Sequence, residues 1–145
     1  MPQLYMFVAC EKVIIDDSGI PSLISLFGIV TLAMQEEIPP NALAPKEWAI
    51  FAAWDPEPID EEREYTQVVQ LLFPDGTSFL DRLETKFVMK VGRRQQVKMP
   101  VMGFPVGQQG NVTVRMWLEH AGNVVIEAHP IHLEVKHTPP PQPAP

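Results

Sequence analysis

Residues 110–135 read GNVTVRMWLEHAGNVVIEAHPIHLEV, and the alternation inside this stretch decides the fold class. Val112, Val114, Met116 and Leu118 fall on one side of an extended chain, with Thr113, Arg115 and Glu119 on the other. A period of two marks a strand with one face in a core and one in water. His120-Ala121-Gly122-Asn123 then turns the chain into a returning strand over residues 124–135. There the phase slips: Ile126 and Ala128 share one parity, whereas Ile131, Leu133 and Val135 share the other. One extra residue near His129-Pro130 restores a common inward face, which predicts a β-bulge.

The same reading extends outward. Residues 64–73 and 78–91 flank Pro74-Asp75-Gly76-Thr77, and an Asp-Gly pair between two such arms predicts a hairpin. Residues 95–104 contain Pro100, which removes a ladder donor and predicts an edge strand. Residues 46–54 set Trp48, Ile50, Ala52 and Trp54 on one face and Glu47, Ala49, Phe51 and Ala53 on the other. Residues 4–15 form an opening strand that stops at Asp16-Asp17-Ser18-Gly19. Residues 22–34 are apolar on both alternating faces, so this strand is either central and covered twice or carries a surface for association. Apolar residues keep a helical period over no more than two turns, leaving room for a short helical turn near 41–46 or 59–65. About eight strands separated by turns predict an all-β, antiparallel β-sandwich of immunoglobulin-like type. Residues 1–136 form the single domain, and residues 137–145, with five of the 16 prolines, a flexible tail.

Composition narrows the function classes. The formal charge of −7, from 18 acidic and 11 basic residues, argues against nucleic acid, which is held by a basic surplus. The apolar run from Leu23 to Met34 is too short to span a bilayer, so no membrane partner is expected. The opening MPQLYMFVACEK lacks a basic leader, and a lone cysteine fits a reducing compartment; the expected location is cytoplasmic.

Candidate chemistry is incomplete at each position tested. The acidic run Asp55 to Glu62 lacks the alternating ligands and central glycine of a calcium loop and reads as a solvated connection. His120, His129, His132 and His137 are not made to converge on a zinc ion by this pattern. Cys10 lies in an apolar strand, where a thiol is inert. The glycines at 103, 107 and 110 are spaced as turns rather than as a phosphate loop. No catalytic residue, metal or cofactor is therefore assigned.

Several passages together resemble a family of short bacterial proteins to which no function is assigned. They are Ala9-Cys10-Glu11-Lys12, the segments SLISLFGIV and PKEWAIFAAW, Phe73-Pro74-Asp75-Gly76, and GNVTVRMWLEHAGNVVIEAHPIHLEV. The resemblance spans most of residues 4–136 and implies a small β-sandwich, with no functional residues to carry over. The acidic segment Asp55–Glu64 and the proline tail depart from the family pattern.

The function expected from these readings is a non-enzymatic binding or assembly module whose partner is another protein or a second copy. Phe27, Ile29, Phe51 and Trp117 are the candidate partner-binding residues, as large apolar groups on otherwise polar or doubly apolar strands. Alternatives are a structural component of a phage particle or similar assembly, and a small-molecule binder with a pocket lined by Trp48 and Trp54.

Overall fold

The computed structural model describes residues 1–26, 28–33 and 38–139. Ten strands follow in order: β1 Gln3–Ile15, β2 Pro21–Leu26, β3 Ile29–Ala33, β4 Leu43–Asp55, β5 Glu64–Leu72, β6 Ser78–Val88, β7 Gln95–Pro105, β8 Gly110–His120, β9 Asn123–Glu127 and β10 Ile131–Thr138. A 3-10 turn over Pro58–Asp60 is the one helical element among the described residues. The first sheet has the order β2-β1-β4-β7, and the second β3-β10-β8-β5-β6, with β9 also on β8. β4 and β7 thus face β10, β8 and β5 as strands B and E face G, F and C in an immunoglobulin sandwich. The second sheet is mixed, because β3 runs parallel to β10, with Ile29 opposite Glu134.

The eight expected segments become ten strands because two of them divide. The run 22–34 splits between Leu26 and Ile29: β2 pairs with β1 in the first sheet, β3 with β10 in the second. The reading of this run as a single strand is corrected accordingly. The last segment divides at residues 128–130. Trp117 pairs with Glu127 and Val114 with Ile131, so the returning chain carries one more residue than β8 across this interval. This is the register change the phase slip predicts, and Pro130, with no N–H, sits inside it. The hairpin at Asp75-Gly76 forms with Gly76 at φ 87°, and the strand bearing Pro100 is an edge. Of the expected tail, His137 and Thr138 pair with β3 and the His137 N–H donates to Gln109 at 3.0 Å, while residues 140–145 lie outside the described residues.

Alternation places the core. Trp48, Ile50, Ala52 and Trp54 of β4, with Val97, Met99 and Val101 of β7, meet Val69, Leu71, Val112, Val114, Met116, Leu118, Leu133 and Val135 of the second sheet. The two indoles bring N–H groups that need acceptors in this dry layer. Trp48 donates to the Gly103 carbonyl at 2.9 Å, and Trp54 to the buried Gln67 amide oxygen at 2.8 Å. Both rings are fully buried in this layer. Gly107 is a packing requirement: a Cβ there would stand 2.2 Å from the Pro39 carbonyl oxygen.

A second apolar cluster lies on the far face of the first sheet. β1 pairs with β4 only as far as Cys10, and from Cys10 to Ile15 it pairs with β2. The β1–β2 hairpin therefore leaves the plane of the sheet and crosses the outer face of β4. It is tied to β7 on the other side by Lys98 Nζ to the Val13 carbonyl at 3.2 Å and Gln96 Nε2 to the Gly19 carbonyl at 2.9 Å. Beneath it Ala49, Phe51 and Ala53 pack with Cys10, Val13 and Leu23. Phe51 is 1% exposed, which corrects its assignment as a partner-binding residue: the hairpin of its own chain covers it. Burial also pushes the Cys10 thiol above its ordinary value, as an inert core cysteine requires.

Phe51→Ala is expected to cost about 3–5 kcal/mol in urea unfolding, the range for a buried aromatic. A change near zero would mean that the hairpin does not cover this face.

Candidate functional site

The hairpin that covers Phe51 turns its other side to solvent. Its bend is held by Asp16, whose Oδ1 accepts the N–H groups of Ser18 at 2.8 Å and Ile20 at 2.9 Å. Cross-strand neighbours share a face, so Val13 and Leu23 point together toward Phe51, while Ile14 and Ser22, like Lys12 and Ile24, point away. Ile20 is 61% exposed, Ile24 41%, Leu26 61% and Ile29, at the start of β3, 59%. Ser25 sits among them at φ 56°, a left-handed conformation that breaks the regular pleat of β2.

β2 and β3 are also edges of their respective sheets, joined in sequence through residues 27–28. Between Pro21 and Ala33 the chain carries no charged residue. Two further edges, β6 and β7, are likewise consecutive in sequence and differ in chemistry. β6 presents Asp81, Arg82, Glu84 and Lys86, and β7 presents Lys98 and Pro100. Charges and prolines at an edge discourage pairing with another chain. The β6 and β7 edges thus carry features that discourage strand addition, whereas β2 and β3 carry no charge and have no second strand neighbour among the described residues.

Of the four residues singled out in the sequence, Ile29 alone lies in this region as a described side chain. Phe27 lies outside the described residues. Phe51 is buried under the hairpin, and Trp117 is on the outer face of the second sheet. The four do not form one patch. Trp117 stands across from Val68, which is fully buried on that outer face. Its Nε1 donates to Glu119 at 2.8 Å, and the Arg115 guanidinium stands 5.8 Å from the ring centroid. The ring is a cover for Val68, pinned in place by polar neighbours.

Beside it, a shallow cleft of about 440 Å³ is lined by Thr66, Arg82, Glu84, Lys86, Glu119 and His120. Three of its charges, Arg82, Glu84 and Glu119, are committed to one another. Arg82 grips Glu119 through two nitrogens at 2.8 and 2.9 Å and reaches Glu84 at 2.9 Å. The Arg82 and Trp117 hydrogen bonds hold the Glu119 carboxyl down to about 2, against an ordinary 4.5.

The acidic run holds one residue that the sequence reading misplaces. Asp60 is fully buried, not solvated. Its Oδ1 accepts the Tyr65 hydroxyl at 2.6 Å and its Oδ2 the Glu57 N–H at 2.7 Å. The available signal was the three-residue spacing Glu57-Pro58-Ile59-Asp60, a capping box with proline at the first position of the turn. Neighbouring acids are paired as well: Asp55 with Arg94, Glu62 with Lys90, and Glu61 with the Val91 N–H.

The histidines are spread along β8 rather than gathered. His120 Nδ1 lies 3.0 Å from the Glu64 carbonyl at one end, and His137 Nε2 2.6 Å from the Val106 carbonyl at the other. His132 Nδ1 contacts the Thr113 hydroxyl at 3.3 Å between them. No helix among the described residues is long and apolar enough to cross a membrane. Comparison with protein-family models and with curated proteins finds no match.

Because the Glu119 carboxyl titrates lower in the folded than in the unfolded chain, its contribution to stability is full above about pH 4.5 and is lost toward about pH 2. Thermal unfolding across that window is expected to show a gap between the native chain and Glu119→Gln that closes as pH falls. A gap independent of pH would contradict the assigned partners.

Proposed function

We propose that this chain is a non-enzymatic binding module that engages a protein partner through the β2–β3 edge. The observation that carries the reading is the asymmetry of the sandwich edges. β6 and β7 hold charges, while β2 and β3 hold no charge and expose Ile24, Leu26 and Ile29, with Ile20 exposed just before β2. An edge strand beside exposed apolar side chains is what strand addition uses. Ladder hydrogen bonds then supply affinity, and alternate side chains supply specificity. The internal pairing of Arg82, Glu84 and Glu119 supports the same reading, since these groups serve one another rather than a substrate. The reduced state of Cys10, expected of a lone buried thiol, fits a cytoplasmic setting.

Site-specific photo-crosslinking in the producing cell tests this reading. A benzoylphenylalanine at position 24 is expected to form protein adducts, and one at position 81 on β6 to form few or none. Equal labelling from both positions, or adducts from position 81 alone, would count against the edge as the binding surface.

A further inference from the structure

We infer that the partner of the β2 edge is a second copy of this chain, joined by antiparallel pairing of β2 with its symmetry mate. The inference rests on the preceding reading of the edge as a binding surface and names its occupant.

Antiparallel pairing of a strand with its own copy is two-fold by construction, so each residue that contacts the mate is contacted in return. That geometry succeeds only if the strand tolerates itself as a neighbour. The segment Pro21-Ser22-Leu23-Ile24-Ser25-Leu26 contains no charge, so the net −7 of the chain brings no like charges together across this seam. A cationic partner would find no carboxylate along the strand to select it, whereas an uncharged apolar strand matches it, and the chain supplies one itself.

The area points the same way and bounds the strength. Ile20, Ile24, Leu26 and Ile29 leave on the order of 400 Å² of apolar side chain in solvent, within the range of a functional surface patch. Two strand backbones and the serine side chains enlarge the contact toward, but not past, the roughly 800 Å² per partner of a standard interface. This is enough for a reversible dimer and too little for an obligate one. Pro21 and the left-handed Ser25 limit the ladder to the middle of β2, which also prevents open-ended sheet growth. The opposite edge of the same sheet, with Lys98 and Pro100 on β7, is unsuited to accept β2, which favours the two-fold pairing of β2 with itself over head-to-tail addition within this sheet.

Sedimentation equilibrium of the full chain over a wide concentration range tests the inference. The expected result is a monomer–dimer equilibrium that Ile24→Lys weakens by about tenfold or more, since it places two cations side by side in the seam. Leu26→Lys is expected to act in the same direction, while Met102→Lys, at an exposed position on β7, leaves the equilibrium unchanged. Circular dichroism of each variant checks that it folds. A chain that stays monomeric at its highest soluble concentration overturns the second-copy assignment. So does an equal effect of Met102→Lys. If such a monomer still yields adducts from position 24 with a different protein in the cell, the binding-module reading survives and this inference alone fails. If position 24 yields no adduct of any kind, both fail.

Discussion

From Trp48 to Trp54, β4 is dry on both faces, and the rest of the molecule is arranged to make that so. Its inner face carries Trp48, Ile50, Ala52 and Trp54 into the inter-sheet layer, where the second sheet and β7 close over them. Its outer face carries Ala49, Phe51 and Ala53, which a two-layer sandwich would leave in water. The chain solves this by bending β1 away from β4 after Cys10 and laying the β1–β2 hairpin across the exposed side. Burying a phenylalanine and its neighbours in this way stabilises by a few kcal/mol.

That solution has a consequence at the surface. A hairpin used as a cover has one apolar side turned inward, and its outermost strand has no second neighbour among the described residues. β2 meets both conditions, and Ile24 and Leu26 extend the apolar character to the side that faces water. β3 continues the line as the edge of the second sheet. The surface proposed for binding is therefore the back of the structure that completes the core.

The buried polar groups follow a different logic. Gln67 and Asp60 are the buried polar or charged side chains among the described residues, and each answers a donor the core cannot avoid. Gln67 accepts from the Trp54 indole, and Asp60 accepts from the Tyr65 hydroxyl and the start of the 3-10 turn. A large aromatic carries its polar end into the interior with it, and an unmet donor there would cost about 1–3 kcal/mol. Trp117 shows the surface version, with its indole N–H held by a partly exposed Glu119.

Strand periodicity, the Asp75-Gly76 turn, the edge position of Pro100 and the phase slip before Ile131 were all legible in the sequence. Each depends on backbone constraints within a few residues, and such constraints act wherever the segment lands. The apolar character of residues 22–34 was legible too, but not its division between two sheets, because that division depends on which strands stand ready to pair. Phe51 shows the same limit most sharply. Its neighbours in β4 predict only that it points opposite to Ile50, while a hairpin more than twenty residues earlier in the chain decides that it is covered. Asp60 lies inside for a similar reason, since Tyr65 supplies the bond that makes its burial tolerable. Local alternation assigns a residue to a face; only the packed chain determines whether that face meets protein or water.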